Sequence, residues 1–340
     1  MPVSGGACRE IDIGLTGSGG SVYVAGGMKI RRSFLRIFTG SDLARRRLPL
    51  LEADSGRAGP AVWLTACAHG DEIGGMVVIH EVFRALAKER LRCGVLKGLP
   101  LMNPIGFDSC SRHIPVSEED LNRSFPGDAG GSLAQRMAAR IFAALIDSNP
   151  DVVLDLHNDW TRSIPYVVLD AVPGSPALDR AASLAEATGF PVVVESGSMR
   201  HTLSHNLLNR GTAALTIELG ESKVVNEENV ALGAAAVWTV LRVLGMVEGT
   251  GPAGPPFPAV VPPGQLRYSD RPLCATSGIL RFLVKPGDLV DEGRKLAVVD
   301  DAFGRRCEVI RAEAPALVLG VADSSVAYPG APVTALGFLP

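Results

Sequence analysis

With 340 residues, 46% of them hydrophobic and 20% charged, the chain has material for a sizeable core and for two domains, or one large domain with an appendage. A formal net charge of −3 excludes a global field that would draw it to nucleic acid or acidic lipid. Six cysteines (Cys8, Cys67, Cys93, Cys110, Cys274 and Cys307) without Cys-x-x-Cys spacing argue against a cysteine-built zinc site and a disulfide framework, and fit a reducing, cytosolic setting.

The first ten residues lack the basic and then apolar regions of a secretion signal. Residues 14–20 are glycine-rich but lack the lysine and Ser/Thr of a phosphate loop, so they read as a connector. Residues 21–25, 33–38 and 48–53 read as strands, the last closed by the turn Asp54-Ser55-Gly56. The basic clusters Arg31-Arg32 and Arg45-Arg46-Arg47 have no interleaved aromatics and read as solvated surface.

Residues 60–67 form a near-continuous apolar run, a buried strand, and residues 73–91 have helical periodicity. Between them lies His69-Gly70-Asp71-Glu72. A second strand, 95–102, ends at Asn103-Pro104. The long stretch 105–130 has no regular pattern and is a candidate functional loop; it carries Arg112, His113 and Glu119 to Gly127. A helix over 132–147, a strand over 151–157 ending in His157, a helix over 176–189 and a strand over 190–194 follow. A strand over 213–220 and a helix over 227–244 complete an alternation that predicts an α/β fold with a mixed, mostly parallel sheet covered by helices on both faces. The apolar stretch 230–247 is interrupted by Arg242 and reads as a packed helix, not a membrane span.

Residues 248–264 are rich in Pro and Gly and read as a linker. Beyond them, short apolar runs alternate with Gly, Pro and Asp turns, the pattern of a small all-β unit over 265–340. Its segments 284–290 and 328–332 resemble the hammerhead of lipoyl and biotinyl domains. The turn Asp300-Asp301-Ala302-Phe303-Gly304 has no lysine to modify, so the unit reads as a cap.

A histidine and a glutamate three apart on a strand-to-helix turn address one locus, at the strand ends where ligands collect in α/β sheets. If strands 60–67 and 152–156 are neighbours, His157 joins His69 and Glu72 there. Two imidazoles and a carboxylate suit zinc and leave a fourth position for water. Amide hydrolysis also needs a proton carrier for the departing amine. Glu218, at its strand end, is placed for it, with Glu195 and Glu221 as competitors. Arg112 suits an oxyanion, and Arg123 with Asn122 offers a fork for a substrate carboxylate.

Taken together, His69-Gly70-Asp71-Glu72, Asn103-Pro104, Asp120 to Gly127, Asp155-Leu156-His157-Asn158 and Glu218-Leu219-Gly220 resemble the succinylglutamate desuccinylase/aspartoacylase family. This family belongs to the wider group of zinc carboxypeptidases of the carboxypeptidase A type. The resemblance covers residues 58–245, and a β appendage is also typical of the family. It implies one zinc per chain on His69, Glu72 and His157, with Glu218 as general base and acid. It implies that Arg112 polarises the scissile carbonyl, that Asn122 and Arg123 grip a carboxylate, and that Asp120 holds the far nitrogen of His69. Residues 196–210, with His201, His205 and Asn206, occupy the place of a substrate-gating loop and do not match the aspartoacylase pattern. His-Gly-Asp-Glu is closer to bacterial deacylases of N-acylated amino acids, including those of N-acetyl-diaminobutyrate type.

The expectation is therefore a cytoplasmic zinc amidohydrolase acting on a small N-acyl amino acid-type substrate, without nucleic acid or membrane partners and with homo-oligomerisation left open. Its catalytic unit spans 1–247 and its β cap 265–340. A peptide-trimming metallocarboxypeptidase and a non-catalytic binding protein on the same fold are the alternatives.

Overall fold

The computed structural model describes residues 10–11, 21–25, 28–39, 43, 45–195 and 199–340. The glycine-rich connector at 14–20, Cys8 and the start of the 196–210 segment lie outside them. Strands form where β-branched and aromatic residues run without turn formers. They comprise β1 (Glu10–Ile11), β2 (Ser21–Ala25), β3 (Met28–Thr39), β4 (Arg45–Asp54), β5 (Ala61–Ala66), β6 (Val95–Leu99) and β7 (Val152–Asp159). After these come β8 (Arg162–Ser163), β9 (Pro165–Asp170), β10 (Val192–Glu195), β11 (Ala213–Glu221) and β12 (Gln265–Ser269). The last are β13 (Gly278–Phe282), β14 (Leu289–Val290), β15 (Lys295–Asp300), β16 (Arg306–Arg311), β17 (Ala316–Val321), β18 (Val326–Ala327) and β19 (Thr334–Phe338). The helices are α1 (Gly74–Leu86), α2 (Pro104–Asp108), α3 (Leu133–Ile146), α4 (Leu178–Ala187), α5 (Leu203–Asn209) and α6 (Glu227–Val243).

The centre of the large sheet is four parallel strands in the order β6-β5-β7-β11. The side chains of β5, β7 and β11 are buried on both faces, which is why these strands read as near-continuous apolar runs rather than alternating ones. On one flank β4 pairs antiparallel with β6 and leads into the hairpins β1–β4. On the other, β9 runs antiparallel to β11 and parallel to β10, and β10 is parallel to β12. The sheet then continues antiparallel through β19, β17 and β14. A second, antiparallel sheet has the order β16-β15-β13-β18. The architecture is thus a mixed sheet with helices on both faces and a C-terminal antiparallel β sheet.

Helices α1, α4 and α6 pack on one face of the sheet and on each other; α3 and α5 lie on the opposite face. Ser132 caps α3 through a reciprocal capping box with Gln135. No helix among the described residues is long and apolar enough to cross a membrane. Residues 248–264 form no helix or strand, yet they are fastened down: Trp238 Nε1 donates to Gly249 O at 3.0 Å and the Phe257 ring lies 5.4 Å from that of Phe190.

Several elements differ from the sequence expectation. The segment 105–130 is not structureless: it continues α2 and holds a 3-10 turn at Leu121–Arg123. Helix α1 stops at Leu86, five residues before the periodicity fades. Strand β9 and helix α5 had no counterpart in the sequence reading. Both belong to the wall of the site.

Candidate metal centre and its cavity

The turn after β5 is forced tight by backbone contact. Cys67 takes φ 55°, and a Cβ on Gly70 would lie 1.9 Å from the carbonyl carbon of Gly106, so only glycine fits there. Gly70 N donates to Ser111 O at 3.0 Å and Glu72 N to His69 O at 3.2 Å. Asn103 supports the same turn. Its Oδ1 accepts from Gly106 N at 2.9 Å, capping α2, while Nδ2 donates to Ala68 O at 3.3 Å. His69 and Glu72 are thereby buried and aimed at one point.

Strand β7 lies next to β5 in parallel register, with Ala66 beside Leu156, so His157 emerges at the same sheet edge. His69 Nδ1 lies 2.6 Å from Glu72 Oε1 and His157 Nδ1 lies 2.7 Å from Glu72 Oε2. One potential ligand atom from each of the three residues lies within 4.8 Å of the other two. The far nitrogens also have carboxylate partners: His69 Nε2 is 3.1 Å from Asp120 Oδ1, and His157 Nε2 is 3.0 Å from Asp155 Oδ2. Asp155 is itself fixed by the Thr65 hydroxyl at 2.6 Å. An N–H donated to each of these carboxylates leaves both Nδ1 lone pairs facing Glu72, the tautomer a metal ligand needs. Burial alone would raise the Glu72 carboxyl, but with the imidazoles protonated their positive charge holds it well below the usual carboxylate range; an ion on the Nδ1 atoms would take the place of those protons. The residues present therefore fit a divalent ion such as zinc.

The cluster opens into a cavity of about 470 Å³ on the sheet face formed by β7, β11, β9 and β10, with β12 beyond. Glu218 stands on β11 beside His157 in register and lines it. Its Oε2 is buried without a hydrogen-bond partner among the described residues. Burial pushes the Glu218 carboxyl well above its ordinary range; His157 opposes this and the Glu72 charge adds to it. The two competing glutamates are placed differently. Glu195 also lines the cavity. Glu221 does not, and its Oε2 accepts from Asn226 and Asn229 at 2.9 and 2.7 Å.

Arg112 Nη1 donates to Glu72 Oε1 at 3.3 Å and Nη2 to Asp120 Oδ2 at 3.1 Å, with the side chain 40% exposed on the cavity. Burial would lower its guanidinium, but the Glu72, Asp120 and Glu218 carboxylates hold it charged. Asp120 thus serves three partners, since its Oδ1 also accepts from Asn122 N at 2.8 Å. The Asn122 side chain lines the cavity too, and its Oδ1 is engaged, accepting from Leu203 N at 3.0 Å; its Nδ2 lies 3.3 Å from His157 Nε2, whose N–H points to Asp155. Arg123, on the exposed side of the 3-10 turn, lines the cavity with one bond to Asn122 O at 3.0 Å.

From the 196–210 segment, Met199, Thr202 and Ser204 line the cavity. His201 and Asn206 instead reach Phe125 O at 3.3 and 3.2 Å and tie the segment to the loop. Tyr268 and Asp323, from beyond the linker, also face the cavity. The sequence placed Asp155 and Asn158 in a motif with His157 but gave neither a role of its own. Asp155 carried a usable signal, because a residue two before His157 on a strand shares its face.

A mixed sheet with a His-Glu-His cluster at the carboxyl ends of parallel strands, beside a carboxylate with one buried, unpartnered oxygen, defines an α/β protein with a candidate metal-hydrolase site. The family model for the succinylglutamate desuccinylase/aspartoacylase catalytic domain matches residues 58–244, and the chain belongs to that family of amide-hydrolysing deacylases. It is 28% identical over 253 residues to the N-alpha-acetyl-L-2,4-diaminobutyric acid deacetylase of Halomonas elongata, covering 72% of this chain and 71% of that protein. Its fold is shared with the product-bound ectoine utilization protein EutE (DoeB) of Ruegeria pomeroyi, with TM-score 0.79 and 22% identity over 91% of this chain and 95% of that one. A succinylglutamate desuccinylase/aspartoacylase of Rhodobacter sphaeroides is similar at TM-score 0.74 and 24% identity, over 90% and 94% of the two chains.

Proposed function

We propose that the chain hydrolyses the amide bond of an N-acyl amino acid or a related small, carboxylate-bearing amide, with one zinc ion held by His69, Glu72 and His157. Zinc bound there supplies Lewis acidity, which acidifies water and polarises a carbonyl. Glu218 takes a proton from the attacking water as its oxygen bonds to the acyl carbon. The same carboxyl then gives that proton to the amine nitrogen as the C–N bond breaks, so the products are a carboxylic acid and a free amine. Arg112 donates to the acyl oxygen as negative charge develops on it. Arg123 receives the substrate carboxylate, with the Asn122 amide beside it. Asp120 and Asp155 keep the two imidazoles turned inwards.

One observation carries the reading: Glu218 brings an unpartnered, buried carboxylate oxygen into the cavity that also holds the His69, Glu72 and His157 cluster. Kinship with the Halomonas elongata deacetylase supports a small acyl amino acid as substrate. Free, unpaired Cys67, Cys93, Cys110, Cys274 and Cys307 support a reducing compartment such as the cytoplasm.

Zinc-loaded protein is to be assayed against N-acetyl, N-succinyl and N-formyl amino acids, with short peptides alongside. The expected outcome is turnover of an acyl amino acid, and a loss of about 10²–10⁴-fold in Glu218→Gln with zinc content unchanged. Full activity in that variant, or turnover of peptides alone, overturns the reading.

A further inference from the structure

We infer that Asn158 is a positioning residue: its carboxamide fastens the strand end that carries Glu218 to the helix start that follows Glu72. The inference rests on the deacylase reading above, because that reading is what gives the two carboxylates their work.

Strands β7 and β11 stay in register up to the pair His157–Glu218, and the next pair is Asp159 with Glu221. Asn158 therefore stands alone opposite Leu219 and Gly220, a β-bulge directly after Glu218. A bulge bends its strand and re-aims the side chains beside it. Gly220 permits this one with φ +80°, and a Cβ there would come within 2.5 Å of Asn229 Nδ2. The bulge also interrupts the ladder, so the carbonyls around it need donors from elsewhere.

Asn158 supplies them. Its Nδ2 donates to Gly220 O at 3.3 Å and to Glu221 O at 2.8 Å. Its Oδ1 accepts from Gly74 N at 3.0 Å, the first residue of α1, where helical N–H groups have no partner of their own. Its backbone N–H donates to Glu72 Oε2 at 3.1 Å. The side chain is buried, and Gly74 makes room for it, since a Cβ there would lie 2.9 Å from the Asn158 amide. One amide thus bridges the backbone just beyond Glu218 to the backbone just beyond Glu72. The carboxamide offers the donor and the acceptor at once; an aspartate of the same shape has no N–H to give. On its other side the bulge is fastened to α6, through Glu221 Oε2 and the amides of Asn226 and Asn229. Asn158 is the fastening on the α1 side.

The test compares Asn158→Ala with Glu308→Ala. Glu308 accepts from Ala275 N, Thr276 N and Thr276 Oγ1 in the small C-terminal sheet, so its loss removes a similar set of bonds far from the cavity. Both variants are expected to melt at lower temperature. At a temperature where both are folded, Asn158→Ala is expected to lose about a hundredfold in kcat, the scale of a 1 Å misplacement, with KM within about twofold and one zinc retained. Glu308→Ala keeps the wild-type kcat. Should alanine not fold, the isosteric Asn158→Asp carries the same test. A readout independent of turnover is the visible absorption of the cobalt-substituted protein, expected to change in the Asn158 variant and not in Glu308→Ala. A wild-type kcat in the Asn158 variant, an equal loss in Glu308→Ala, or an unchanged cobalt spectrum overturns the inference. If the wild type turns over no acyl amino acid, the deacylase reading fails, and the cobalt spectrum alone decides on Asn158.

Discussion

Each imidazole of the cluster faces Glu72 on one side and a second carboxylate on the other. The two supports are not equivalent. Asp120 sits on a turn, is shared with Arg112 and the Asn122 backbone, and is partly open to solvent. Asp155 is wholly buried on β7 and held by Thr65. Asp155→Asn keeps the shape but removes the charge that favours an N–H on His157 Nε2. It is expected to weaken zinc binding by about 10–100-fold, measured by competition with a chromogenic chelator. Unchanged affinity would show that His157 needs no such partner. At this scale the meeting of His69, Glu72 and His157 was legible because all three follow apolar runs that must be parallel strands. The partners of Arg112 and Asn122 were not, because the path of the 105–130 loop depends on contacts that no local pattern encodes. Asn122 illustrates this: its carbonyl oxygen is taken by the N-terminus of α5, a helix the sequence did not announce.

The elements divide according to how much of their structure is local. Strands β5, β7 and β11 and helices α3 and α6 carry their own signals: continuous apolar runs, the Ser132 capping box, and the Asn226 cap. Strand β9 opens on a proline and follows the two-residue strand β8 with a gap of one residue, so no turn signal separates it. It exists because β11 and β10 lie on either side of it. Helix α5 has seven residues, too few for a periodicity, and starts where the Thr202 hydroxyl accepts from His205 N at 3.2 Å. The turn after β5 is likewise set by tertiary contact, through the approach of Gly106 to Gly70. Gly70→Ala drives a methyl group into the peptide unit between Gly106 and Phe107 and is expected to destabilise the fold by about 3 kcal/mol. A urea titration checks this: the midpoint should fall with the slope unchanged. A midpoint equal to wild type would mean the α2 segment yields freely, and with it the frame of His69.

At the scale of the molecule, the composition break at 248–264 does not coincide with a break in the sheet. Strand β12, beyond it, pairs with β10 before it, through Val192–Gln265, Val193–Leu266 and Val194–Arg267. Strand β17 pairs with β8, and Asp323 accepts from both N and Oγ1 of Thr161, at 2.6 and 2.7 Å. The apolar clusters are linked in the same way. Phe257 packs against both the main core and the cluster around Tyr166, Leu266, Leu317 and Leu319. Strand β17 turns Leu317 and Leu319 to that cluster and Ala316 and Val318 to the next, and Phe282 is shared between that one and the core of the small sheet. No cluster is sealed off from its neighbour, so loss of the C-terminal strands would bare the edge of β10 and open the cavity at Tyr268 and Asp323. Calorimetry of the full chain is therefore expected to show one cooperative transition with calorimetric and van't Hoff enthalpies equal. Two resolved transitions would mean that the β10–β12 seam opens on its own. Tyr268 and Asp323 could then leave the cavity wall while the rest of the site stays folded.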